Sequence, residues 1–220
     1  MQMTTGLHKS AIPLKQRLIG LSMIIGPIIA LVGFLFHPLE QGEGLAKLQL
    51  IANNASHWNI AHILFLVSMP FLITAALGLM KLVQGGAEGL ALLSAALVLV
   101  GAIFFSALFG TELALSAMAT VPANQYAGLV PGVEAITSGK GPMFVVMLGV
   151  AFNIGLILLA IALYAANPVP RWASAFVGIG ALILVTATVT DAYGAASFAV
   201  MLVGLGRIGL QLLTQPVEGQ

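Results

Sequence analysis

The chain has 220 residues, of which 60% are apolar and only 7% charged, with a mean hydropathy of +1.07; soluble domains carry roughly 25% charged residues, so water is excluded as its main solvent. The formal net charge is +1 and no basic run resembles a nucleic-acid footprint, which removes DNA or RNA as a partner. With no cysteine, disulfides, thiolate metal sites and cysteine nucleophiles are excluded as well.

The length suits a single domain over residues 1–220, with room for about six membrane spans joined by short connections. Residues 1–17 are polar and basic before an apolar run opens at Leu18. That run exceeds the roughly 7–15 apolar residues of a signal peptide and ends at His37-Pro38, so it is read as a retained first span, about 18–37. Gly26-Pro27 predicts a bend near its centre, and Gly20, Gly26 and Gly33 predict close approach by a neighbouring helix. In the connection that follows, Leu45, Leu48, Ile51 and Ala52 recur at helical spacing beside Lys47 and Gln49, the pattern of a short amphipathic surface helix. An irregular loop is the alternative there.

The stretch Ser56–Val83 contains the second span, about 58–81. Ser56 is placed to cap it, Trp58 to sit at headgroup level and Lys81 to snorkel at the far end. Pro70 predicts a second bend. A third span, about 88–112, is expected to leave the hydrocarbon near Gly110-Thr111-Glu112, after which residues 122–141 form a second long connection folding over the helix ends. The fourth span, about 142–165, has Asn153 near its midpoint, and the turn AANPVPRW leaves Arg171 and Trp172 as interfacial anchors. The fifth and sixth spans, about 172–190 and 195–214, are joined by Asp191-Ala192-Tyr193-Gly194.

Threaded this way, one side of the membrane receives Lys9, Lys15, Arg17, Lys81 and Arg171 and the other only Lys47 and Lys140, so the positive-inside rule predicts that both termini are cytoplasmic. The expected fold class is all-α: a polytopic bundle of six transmembrane helices, multi-pass in a cell membrane, with the lipid bilayer as its surroundings. Nothing in the pattern specifies an oligomer.

This topology gathers His37, Glu40, Glu43, His57, His62, Glu112, Glu134 and Asp191 at or near the outer face. Solvated loop acids account equally well for Glu40, Glu43 and Glu134. His62 is different, because it lies five residues past His57, roughly 7 Å deeper at 1.5 Å per residue, where an imidazole needs a partner. Glu112 and Asp191 each fall about 30 Å along their helices. His62, Glu112 and Asp191 are therefore the candidate catalytic set, with His62 as base and either carboxyl as acid, against the plainer reading of a hydrogen-bonded histidine and two helix-end carboxylates. Deeper in the bundle, Arg207 lies near the midplane with Gln211 one turn away and Asn153 at similar depth. These three form either a structural network or a site for an anionic headgroup or ligand.

Three chemistries remain. The leading one is binding, sensing or carrying a small hydrophobic or lipidic molecule in an outer-facing polar pocket. The second is an intramembrane acid–base enzyme acting on a lipid or isoprenoid substrate. The third is a metal site built from His37, His57, His62, Glu112 and Asp191, or haem held by His37 and His62, although no HExxH signature is present and no metal or cofactor is assigned. There is no G-x-S-x-G elbow, no phosphate loop and no lysine within the bundle for a retinal Schiff base.

The stretch IGLILLAIALYAANPVPRWASAFVGIGAL, with its apolar helix, short basic turn and Pro-Arg-Trp restart, resembles a widespread group of bacterial six-helix integral membrane proteins of unknown function. The likeness covers the whole chain in span layout but, in residues, only about 149–182. It implies architecture and bacterial inner-membrane residence, and carries over no functional residue.

Overall fold

A computed structural model describes residues 12–39, 42–186 and 191–215; side chains are described for these except at 142, 186, 191 and 192. Among the described residues the chain is helical throughout, with no strand: α1 (Leu14–Phe36), α2 (Leu45–Asn53), α3 (Ala55–Leu82), α4 (Glu88–Met118), α5 (Tyr126–Thr137), α6 (Lys140–Ala166), α7 (Arg171–Thr186) and α8 (Asp191–Thr214). Five helices are long and apolar enough to cross a bilayer: α1, α3, α4, α6 and α8. The sixth long element, α7, is shorter in its described residues.

The outside of this bundle is hydrocarbon. Leu18, Ile63, Leu92, Ile103, Met147, Ile179, Leu182 and Val203 all project from it exposed, and a soluble monomer rarely shows contiguous apolar surface on that scale. Since lipid tails are as apolar as leucine, these helices must associate through close packing and not through exclusion of water. Glycine supplies the closeness. A Cβ on Gly101 would strike the backbone of Phe152, one on Gly155 would lie 2.7 Å from the Ser94 carbonyl oxygen, and one on Gly20 would lie 2.9 Å from the carbonyl of Gly209. Gly20, Gly26 and Gly33 all lie at close approaches to a neighbouring helix, as their spacing predicts.

The six long helices form a closed ring. α1 packs on α3 and α8, α3 on α4, α4 on α6, α6 on α7 and α7 on α8, so each has a neighbour on both sides. The short helices α2 and α5 cover one end of this ring. Leu48 and Ile51 of α2, Trp58 of α3, Leu115 and Ala119 at the end of α4, and Tyr126 and Val133 of α5 make a separate buried cluster there. Tyr126 Oη donates to the Ala119 carbonyl at 2.8 Å, which ties α5 to the end of α4. Gly44 precedes α2 with a φ of 53°, a left-handed conformation in which a side chain is strained.

Two local expectations change, at Ser56 and at residues 191–194. Ser56 does not cap α3; it is the helix's second residue, because α2 and α3 are separated only by Asn54, whose Nδ2 donates back to the Leu50 carbonyl at 2.9 Å. α4 runs on past Glu112, where the span is expected to leave the hydrocarbon, to Met118, with the Thr111 hydroxyl satisfied by the Ala107 carbonyl at 3.0 Å. Asp191-Ala192-Tyr193-Gly194 is the first turn of α8 and not a free connection.

Candidate functional site

The lidded end of the ring is built from three side chains on α3. Trp58, His62 and Phe65 stand at i, i+4 and i+7, a spacing that puts them on one helix face, and all three point into the bundle at 0%, 2% and 3% exposure. Trp58 is therefore not a headgroup anchor. Its indole Nε1 donates to the Glu112 carbonyl at 3.1 Å, which joins α3 to α4, while its own carbonyl accepts from His62 Nδ1 at 2.8 Å. A carbonyl can only accept, so Nδ1 carries a proton and, in the neutral ring, Nε2 is the basic nitrogen of His62.

The end of α1 adds His37, whose ring centroid lies 5.0 Å from that of His62 and 5.3 Å from Trp58. Above them, Glu112 and Lys47 meet as a buried ion pair, Oε1 to Nζ at 3.0 Å, and the ammonium also stands 5.6 Å from the Trp58 ring centroid. Lys47 belongs to α2. The pair thus pins the covering helix to α4, and Trp58 lies between that charge pair and the imidazoles.

Below the histidines the ring interior becomes apolar. Phe65 and Phe109 pack with centroids 5.0 Å apart, both within about 6 Å of the His62 ring. Phe34 meets Phe65 at 4.6 Å and Phe198 at 5.8 Å. Beneath this phenylalanine layer is a cavity of about 160 Å3, lined by residues of α1, α3, α4, α6, α7 and α8. Its lining is hydrocarbon except for Ser68, whose hydroxyl already donates to the Phe65 carbonyl at 2.7 Å, and Asn153. Asn153 is 3% exposed, and its carboxamide oxygen has no hydrogen-bond partner among the described residues. The tight α4–α6 contact at Gly101 and Gly155 flanks Asn153 and holds its helix in register against α4. The cavity is not sealed on its α6 side: Val146 is 37% exposed and Val150 half-buried, so the gap reaches the flank of the bundle.

The predicted site residues divide accordingly. Trp58 brings His62 and Glu112 into one layer. Asp191 opens α8, and its side chain lies outside the described residues, as does Glu40. His57 is exposed, with its ring 6.0 Å from Phe36. Asn153 faces the cavity, whereas Arg207 is exposed on the outer side of α8 and Gln211 is half-buried; no hydrogen bond among the described residues joins the three. The reason lies in the face of α8, where Met201, Leu205, Ile208 and Leu212 form the buried stripe and Arg207 falls about 100° away from Ile208. Sequence reasoning missed Lys47 as a partner and Trp58 as a site residue; the i, i+4, i+7 spacing of Trp58, His62 and Phe65 was the available signal.

Among the described residues no group of three or more His, Asp or Glu side chains is placed to hold a metal ion. The His37 and His62 rings stand too close together, with Trp58 against both, for a porphyrin plane to pass between them. No family model matches the chain, and neither a curated protein nor a solved structure matches it.

Proposed function

We propose that this is a multi-pass membrane protein that binds a small, mainly apolar molecule carrying one hydrogen-bonding group, held in the cavity beneath the phenylalanine layer and entering from the bilayer past α6. The observation that carries the reading is Asn153: a carboxamide nine-tenths buried, unpaired at its oxygen, lining an otherwise apolar space. Burying such a group without a partner costs roughly 1–3 kcal/mol, which an occupant supplying an O–H or N–H removes. A cavity of about 160 Å3 is close to the roughly 150 Å3 apolar cavity that takes up benzene in another protein, so the occupant is a phenol-sized ring or a compact branched alcohol. The His37, His62 and Trp58 layer closes the end of the space, and Phe65 and Phe109 separate it from the cavity, so neither His62 nor Glu112 touches the occupant. That separation favours a binder over an acid–base enzyme.

The same proposal includes six spans, with residues 172–190 as the fifth, both termini in the cytoplasm and residence in a bacterial inner membrane. The ring supports an even number of crossings, since α7 packs on both of its neighbours as a full member. Fusions of a fluorescent protein and of alkaline phosphatase to each terminus test the topology: fluorescence without phosphatase activity is expected at both. For the ligand, para-fluorophenol and fluorobenzene are titrated into protein in neutral-lipid nanodiscs and followed by fluorine NMR. Saturable binding of the phenol in preference to fluorobenzene is expected, and equal, non-saturating partition of both would overturn the reading.

A further inference from the structure

The end of the bundle away from the lid carries a second apolar space with a different chemistry. Between the first turns of α1 and the last turns of α3, a groove of about 400 Å3 opens on the outside of the ring, walled by Leu14, Leu18, Thr74 and Leu77 and flanked by Lys15 and Lys81. The Ile19 side chain packs directly onto Gly78, so the two helices touch at the floor and diverge outward. From Thr74 to Lys81 the groove runs about 10 Å along the helix axis. Both lysines are exposed, and neither has an acidic partner among the described residues. Glu88, the acid nearest to Lys81 in sequence, spends its Oε1 on the Gly85 N–H at 2.7 Å. The two side chains reach the same groove, Lys15 from the first turn of α1 and Lys81 from the last turn of α3.

Two like charges at the rim of a hydrocarbon groove call for an anion between them and an apolar chain below. We propose that this groove holds an anionic phospholipid, with its phosphate between Lys15 and Lys81 and an acyl chain against Leu14, Leu18 and Leu77. A free phosphate would leave the groove empty, and a zwitterionic headgroup would bring its own cation to the two ammonium groups. Basic groups between helix ends, at the level where Arg171 and Trp172 restart the chain, are the arrangement that captures such headgroups.

The test uses protein reconstituted in equal phosphatidylglycerol and phosphatidylcholine, extracted in mild detergent and examined by native mass spectrometry for retained lipid. The wild type should retain phosphatidylglycerol selectively. K15Q and K81Q should each reduce that preference about five-fold, the value of one basic group near a membrane surface, and K15Q/K81Q should abolish it. K15R/K81R should keep it, and so should R171Q, whose guanidinium lies over Tyr164 outside the groove. T74W, which fills the groove with both lysines intact, should reduce retention of the lipid even if the double glutamine variant fails to fold. An unchanged preference in K15Q/K81Q or T74W would overturn the proposal. So would an equal fall in R171Q, which would mean general surface charge, or equally tight binding of inorganic phosphate alone, which would mean a site for the free anion.

Discussion

Replacing Asn153 by leucine should make the protein more stable and its ligand weaker at the same time. The side chain is 3% exposed with an unpaired carboxamide oxygen among the described residues, and leucine has the same branched outline but larger methyl ends that the adjoining cavity can take up, so the exchange removes an unsatisfied buried polar group without opening a new hole. In the empty protein this should stabilise by about 1–3 kcal/mol, because removing an unpaired buried polar group removes its desolvation cost. For a chain of this length about 2 kcal/mol corresponds to a rise in melting temperature on the order of 5 °C. In the complex the sign reverses: a phenolic O–H then faces leucine with no acceptor, and affinity should fall by about 1–3 kcal/mol, roughly five- to 150-fold. Fluorobenzene, with no donor to strand, should lose much less affinity in N153L than para-fluorophenol does. The measurements are thermal unfolding without ligand and fluorine NMR titration with both probes. A variant that is less stable than the wild type, or that binds para-fluorophenol unchanged, would show that Asn153 completes a structural contact and not a site.

Breaking the ion pair should be costly for the opposite reason. K47M removes the ammonium 3.0 Å from a nine-tenths buried Glu112 carboxylate, at an expected cost of roughly 3 kcal/mol. The double variant K47M/E112L should recover most of that in thermal unfolding, and a double variant no more stable than the single one would remove the pair as the cause. The chain has two tryptophans, Trp58 at 0% and Trp172 at 48% exposure. Fluorescence of W172F, which retains only Trp58, should resist quenching by acrylamide and brominated lipid, whereas W58F should be quenched strongly by the lipid. G101A should destabilise severely, because the added methyl meets the Phe152 backbone and the two helices must separate, while G86A, with open space around it, should melt like the wild type.

Much of the architecture was legible because hydrocarbon imposes long charge-free runs, and the helices appear where those runs lie. Helix boundaries were less so: α3 begins before Ser56 and α8 already at Asp191, because polar residues continue a helix as readily as they cap or connect one. The amphipathic pattern at Leu48 and Ile51 located α2 but gave its charged residue the wrong surroundings. Periodicity assigns a lysine to water, and only the lid above Glu112 makes Lys47 a buried partner. Trp58 was misplaced for the same reason, since an aromatic at the start of a span looks identical whether headgroups or a covering helix lie above it. His62 stood out because a single imidazole in a charge-free run needs a partner. Asn153 was visible, but its association with Arg207 was read from depth alone. The buried stripe through Met201, Leu205, Ile208 and Leu212 already turned the arginine outward.

A ring explains why a cavity is present at all. Helices are about 10 Å thick and pack with axes about 8–10 Å apart, so six of them in a closed circuit leave an axial space that only inward side chains can fill. Towards the α1 N-terminal end, flexible Leu72, Leu79, Leu159, Leu163 and Ile208 fill it. Under the lid the filling comes from Phe34, Phe65, Phe105, Phe109, Phe152 and Phe198, flat and rigid rings that meet at angles from stacked, at Phe105 and Phe109, to edge-on, at Phe105 and Phe152, and cannot conform to the remaining gap. An empty space of about 160 Å3 would cost roughly 4 kcal/mol at about 24 cal/mol per Å3 in a water-soluble core. In a bilayer the surrounding medium is itself apolar and can enter past Val146, so an occupant relieves that cost without any driving force from water. What hydrocarbon cannot relieve is the unpaired oxygen of Asn153. A bundle whose cavity had only to be filled by lipid tails would do better with leucine at that position, and the carboxamide therefore argues for an occupant that brings a polar hydrogen with it.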